Sequence, residues 1–146
     1  MQQGSKANFT GRQFESTVQQ LLEDTGHSAV SPPRYEAVWG TGRQRNQTDK
    51  WLKNLDIQIE LKYQAVPGTC DQKPFSELWN ASQRVVCKQY ILVLGGPHWD
   101  TPRGTGIYKE AKKMAALLNA QPKKGGAKKI SVMKYSDFKE WVREQS

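Results

Sequence analysis

The chain has 146 residues, 36% hydrophobic and 25% charged, which suits one compact domain with a core and is short for two. Lys and Arg number 22 against 14 acids, a formal charge of +8 that favours polyanionic partners, nucleic acid before an anionic membrane. Two cysteines without C-x-x-C spacing and only two histidines argue against a zinc site. No apolar run reaches the ~18 residues of a membrane span, and no signal-like segment opens the chain.

In chain order, residues 1–8 (MQQGSKAN) read as a frayed leader. TGRQFESTVQQLLEDTG then predicts a helix: Thr10 and Gln13 form a T-x-x-Q capping box, Phe14, Val18, Leu21 and Leu22 make one stripe, and Gly26 supplies the stop. HSAVSPPRY predicts a short strand ended by Pro32-Pro33, and GTGRQRNQTD a polar, cationic loop. DKWLKNLDIQIELKYQ predicts two strands joined by a tight turn at Lys53-Asn54. After the VPGTCDQ loop, Pro74 starts a helix through Val86, with Phe75, Leu78, Trp79, Val85 and Val86 on one side. QYILVLGG has the unbroken apolar run of a strand covered on both faces. GPHWDTPRGTG reads as a mobile loop, Tyr108 to Asn119 as a lysine-rich helix, PKKGGAKK as a basic turn, ISVMKY as a strand and SDFKEWVREQ as a last helix. The expected order is α-β-β-β-α-β-α-β-α: an α/β chain with a mixed sheet flanked by helices, one domain over 1–146.

The best strand, IQIELKYQ (57–64), alternates Ile57, Ile59 and Leu61 with Gln58, Glu60 and Lys62. Glu60 and Lys62 therefore share a face roughly 6–7 Å apart, and an acid and an amine so placed can act on one phosphate. One carboxylate rarely holds Mg²⁺ alone, so a second acid is needed. Asp56 lies on that face but about 13 Å away along the strand. With a two-residue turn, Asp49 falls opposite Gln58 and diagonal to Glu60, roughly 7–8 Å off, which favours Asp49 and leaves Asp56 as its rival. Glu15, beside Leu22 on the helical wheel, sits on the rim of the apolar stripe and offers a third acid.

An acid in a first helix, an acid on one strand and E-x-K on the next resembles the signature of the PD-(D/E)XK nuclease superfamily. Here it reads Glu15, then Thr48-Asp49, then Glu60-Leu61-Lys62. The family's αβββαβ core, the restriction-endonuclease-like fold, would cover about residues 10–95, with 107–146 as a C-terminal α-β-α extension. GRQFESTVQQLLEDTGHSAV is similar to the opening of archaeal-type Holliday junction resolvases. Gln64 continues the E-x-K-x-Q variant, and Thr48 stands where the motif has proline. The resemblance implies Mg²⁺-dependent hydrolysis of DNA phosphodiesters, with Mn²⁺ as a substitute and no covalent intermediate. It implies Asp49, Glu60 and Glu15 as metal ligands, Lys62 activating water or steadying the phosphorane, and Gln64 among the catalytic residues.

Candidate DNA contacts are Arg43 and Arg45 in the loop leading to Asp49, with Lys50, Arg12, Lys112 and Lys113. Lys109, Lys123, Lys124, Lys128 and Lys129 add to the cationic surface or simply solvate it. His98 and Asp100 in GPHWD suggest an acid–base pair, though a glycine-flanked loop makes that the weaker reading. Expected partners are duplex or branched DNA and a second copy of the chain, since cutting two strands wants two sites; no membrane is expected. The expected place is the cytoplasm, nucleoid- or phage-associated. The alternative is a non-catalytic DNA-binding module of the same fold.

Overall fold

In the computed structural model the elements follow one another as α1 (Gln2–Asp24), β1 (Arg34–Glu36), β2 (Arg45–Gln47), β3 (Lys50–Leu52), β4 (Ile57–Tyr63), α2 (Lys73–Arg84), β5 (Gln89–Gly95), α3 (Pro102–Ala120), β6 (Lys129–Lys134) and α4 (Tyr135–Glu144). Single 3₁₀ turns, Thr69–Gln72 and Pro97–Asp100, precede α2 and α3. The structure describes residues 2–37, 45–66, 69–122 and 125–145, with side chains from residue 11 onward except at 45, 69 and 70.

Four strands form a mixed sheet in the order β3-β4-β5-β6: β3 is antiparallel to β4, and β4, β5 and β6 are parallel. The two parallel crossovers step the same way across the sheet. Right-handed connections then put both crossover helices on one face, and α2 and α3 do share a core there with Tyr90, Leu92 and Leu94 of β5. The opposite face is closed by α1 and α4: Phe14, Val18 and Leu22 meet Phe138 and Val142 over Ile57, Ile59, Ile91 and Val93. Strand β5 feeds both cores by simple alternation, which explains its unbroken apolar run. Phe138 and Val142 are fully buried, so the C-terminal segment is part of the same packing rather than an appendage.

The sheet alternation on β4 is as expected, with Ile57 and Ile59 in the α1/α4 core and Glu60 buried on the α2/α3 face. Several local expectations differ. Helix α1 begins at Gln2, not Thr10, so Thr10 lies inside the helix and not at its N-cap. The expected strand at HSAVSPPRY shrinks to one bridge, Val30 with Trp51; the strand forms after the prolines and pairs with Arg45–Gln47, in the stretch expected to be loop. Residues 38–44 lie outside the described residues. Val86 is 74% exposed, since α2 ends at Arg84 and Val85 alone turns inward. The segment expected as a mobile loop, GPHWDTPRGTG, is instead a buried turn and the first turn of α3. There Thr101 caps the helix by accepting from the Gly104 N–H, and a side chain at Gly104 would collide with the His98 carbonyl. Among the described residues no helix is long and apolar enough to cross a membrane.

Candidate active site

The turn between β3 and β4 sets how Asp49 stands to Glu60. Leu52 pairs with Ile57 and Lys50 with Ile59, so the connection is the four residues Lys53–Asp56 and not a two-residue turn at Lys53-Asn54. Asp56 closes it at φ 54, a left-handed position that Asp tolerates better than most side chains. The longer turn shifts the register by two, and Asp49 falls beside Glu60 instead of Gln58. The ladder breaks there: the Asp49 N–H donates to the Ile59 carbonyl, and Asp49 Oδ2 accepts the Leu61 N–H at 2.7 Å. A carboxylate thus stands in for a ladder carbonyl at the level of residues 60–62. Thr48, in the proline position of the motif, is buried and donates to Gln58 Oε1 at 2.6 Å, anchoring the chain just before Asp49.

Asp56 is removed from the rivalry. Its Oδ1 accepts from Trp51 Nε1 at 3.1 Å and its Oδ2 from the Lys88 N–H at 3.2 Å, so it holds the far end of the hairpin to the start of β5.

Lys62 Nζ donates to Glu60 Oε2 at 2.8 Å and stands 3.7 Å from Glu77 Oε1 of α2. Burial pushes the Glu60 carboxyl up to about 8; Lys62 pulls it back, but Asp49 and Glu77 add to the rise. Burial likewise raises Asp49, against the Leu61 N–H and the Lys62 charge. Burial works against the Lys62 ammonium too, yet Glu60 and Glu77 outweigh it and its pKa is raised. The pair is asymmetric because Lys62 has two acids and some water, whereas Glu60 is deeper and has one cation for company. Tyr35 of β1 closes over this face, its phenol kept neutral by burial and by the charges of Glu77 and Glu60. The result is a sheltered cluster in which, among the described residues, Glu60, Glu77 and Asp49 gather around the Lys62 ammonium.

Glu15 is not gathered into that cluster. It is 56% exposed and pairs with Lys50 at 3.7 Å, near enough to Asp49 to raise its pKa but on the helix that covers the other face of the sheet. Arg12, Glu15, Ser16 and Lys50 line an open cleft along α1 of about 410 Å³, so two of the candidate DNA-contacting cations lie together. Lys112 and Lys113 are elsewhere, on α3, the helix that packs against the edge strand β6. Lys112 lies over the Tyr108 ring and Lys113 pairs with Glu110. Arg43 lies outside the described residues, as do Lys123 and Lys124; for Arg45 only the backbone, in β2, is described.

Gln64 Nε2 donates to the Val66 carbonyl and to Asp71 Oδ1, at 2.9 and 3.2 Å. Asp71 also holds His98 Nε2 at 2.9 Å and Arg103 Nε at 2.6 Å. Burial opposes its ionisation, but the His98 hydrogen bond and the Arg103 charge outweigh it, so its pKa is lowered. The His98–Asp100 pair suggested by GPHWD does not form: His98 is fully buried on Asp71, and Asp100 reaches Lys134 at 2.8 Å. Cys87 is a buried free thiol pushed up to about 12 by burial and the Asp56 charge, so it offers no thiolate.

Glu77, Tyr35 and Asp71 escaped the sequence reading. A signal for Glu77 exists: Pro74, Glu77, Leu78 and Ala81 follow the i, i+3, i+4, i+7 pattern of a buried helix face, with one acid among apolar residues. Nothing local singles out Tyr35 or Asp71, whose partners are 25 or more residues away in the cases of Glu60 and His98.

Among the described residues no three His, Cys, Asp or Glu side chains gather as a ready-made metal group. The donor chemistry nevertheless suits a hard divalent cation: Asp49 and Glu60 are oxygen ligands whose ionisation burial opposes, and such ions commonly complete their shell with water and substrate. Set against family models, curated proteins and solved structures, the chain matches none.

Proposed function

We propose that this chain is a metal-dependent endodeoxyribonuclease of the PD-(D/E)XK superfamily, its mixed sheet and helices being the restriction-endonuclease-like fold. The observation that carries the reading is the meeting of Asp49, Glu60 and Lys62 at one strand end, two sheltered carboxyl groups and an ammonium held within hydrogen-bonding reach of one strand. Asp49 and Glu60 would hold Mg²⁺ or Mn²⁺, which when bound supplies the Lewis acidity that activates a water and offsets charge on the phosphate. Lys62, kept protonated by its acid neighbours, acts as a donor and a positive charge toward the phosphate rather than as a base. Gln64 ties the end of β4 to Asp71 and so steadies the strand that carries Glu60 and Lys62.

Glu15 takes a lesser part than the motif implies: it orients Lys50, which with Arg12 lines the α1 cleft where a phosphodiester backbone can lie. The charge of +8, with Arg43, Arg45, Lys112 and Lys113 further out, supports DNA as the polyanion. One site per chain makes a homodimer the natural cutter of both strands. A binding module of the same fold has no use for buried carboxylates facing a polyanion, which weighs against the non-catalytic alternative.

The direct test places supercoiled plasmid, linear duplex and a four-way junction side by side, with Mg²⁺ or with EDTA. Cleavage of at least one DNA with Mg²⁺ and of none with EDTA is expected. Tight DNA binding with no cleavage under any metal would return the chain to the non-catalytic alternative.

A further inference from the structure

The Lys62 ammonium lies between two carboxylates, 2.8 Å from Glu60 Oε2 and 3.7 Å from Glu77 Oε1. All three side chains are sheltered, with exposures of 26% for Lys62, 10% for Glu60 and 18% for Glu77. Glu77 occupies a position on α2 between Pro74 and Ala81, both buried, where an apolar residue would pack as well. Glu60 by itself already gives Lys62 a hydrogen-bonded counter-ion, so a second acid beside the same ammonium calls for a role of its own.

A carboxylate that binds a divalent cation, through either oxygen, gives up charge to it and holds an ammonium less strongly. Glu60 Oε2 accepts from Lys62, and a divalent ion held by the same carboxylate would loosen that bond. An ammonium released from Glu60 stays largely out of water, and a sheltered ammonium without an anion is costly. The Glu77 carboxylate is already at hand, and a movement on the order of 1 Å brings it from ion-pair range to hydrogen-bond range.

We propose that Glu77 is a positioning residue, taking over the Lys62 ammonium when Glu60 engages the divalent cation. The inference rests on the nuclease reading above. Glu77 thereby sets where Lys62 stands in the loaded site and lowers the cost of freeing Glu60. Its influence on metal binding passes through Lys62 and not through contact with the ion.

A double-mutant cycle read by calorimetric titration of Mn²⁺ into the full chain without DNA tests this. The four proteins are the natural chain, Glu77→Gln, Lys62→Met and the double variant, with the melting temperature of each recorded. Glu77→Gln is expected to weaken Mn²⁺ binding about tenfold, and to change it less than about threefold in the Lys62→Met background. An equal loss in both backgrounds would mean that Glu77 acts on the ion directly, and would overturn the proposal. Unchanged affinity in Glu77→Gln would overturn it too while leaving the nuclease reading intact. No Mn²⁺ binding by the natural chain would overturn both. Should Glu77→Gln fail to fold, Glu77→Met, which removes the charge and keeps the bulk, is read in the same cycle with the same expectations.

Discussion

Replacing Glu60 by Gln should make the metal-free protein more stable at about pH 8 and leave it nearly unchanged at about pH 5. The Glu60 carboxyl titrates near 4.5 when freely solvated and is pushed up to about 8 in the fold, by burial above all. Between those values the folded chain holds a proton that the unfolded chain has lost. Stability from this group is therefore fully present below about 4.5, falls as pH rises, and levels off above about 8. At roughly 1.4 kcal/mol per pH unit, on the order of 3 kcal/mol disappears between pH 5 and pH 8, an upper figure because Lys62 adjusts with the acid. A chain of this length loses about 3 °C of Tm per kcal/mol, so a fall of up to about 9 °C is expected. Thermal unfolding followed by circular dichroism in EDTA, on both proteins, reads it directly. The natural chain should lose Tm over that interval more steeply than Glu60→Gln, and the difference between the two removes the contribution of other titrating groups. Parallel profiles would refute the reasoning, since they would mean that Glu60 ionises in the fold as easily as in water. Mn²⁺ should then restore Tm at about pH 8 in the natural chain and not in Glu60→Gln, because a ligand that binds only the folded state stabilises it.

Asp49→Ala should abolish cleavage and retain DNA binding, whereas Asp56→Ala should still cut but lose about 1–2 kcal/mol of stability, measured by urea unfolding, from the freed Trp51 Nε1 donor. The opposite pattern would mean that the hairpin register is wrong. Lys62→Ala should lower single-turnover cleavage by orders of magnitude with DNA affinity little changed; an equal loss of both would make it a plain phosphate anchor. Asp71→Ala should cost about 2–3 kcal/mol, because it strands His98 Nε2 in a fully buried place and unties Gln64. A loss under about 0.5 kcal/mol in the same urea measurement would show that the Asp71 bonds hold nothing together.

The features legible in the sequence are those that a short window of residues determines. Period-two alternation in IQIELKYQ puts Glu60 and Lys62 on one face whatever surrounds the strand, and the apolar run of QYILVLGG demands cover on both sides. Pro74 at a helix start and the amphipathic last helix are equally local, and both stand where expected. The partner of Glu60 is not local. Whether Asp49 stands diagonal to Glu60 or beside it depends on whether the hairpin closes in two residues or four, and the four-residue turn is held by bonds from Asp56 to Trp51 and to Lys88, the latter 32 residues along the chain. His98 looks like a loop residue until the turn after β5 folds beneath α3 and meets Asp71, 27 residues back. Glu77 joins Lys62 only because the crossover from β4 to β5 lays α2 over the Glu60 face, while Glu15, on the helix behind the sheet, is left to Lys50. A strand's own sequence tells which side chains share a face, because backbone geometry alternates them; which other chain segment covers that face is a matter of topology, and only the packed sheet and helices decide it.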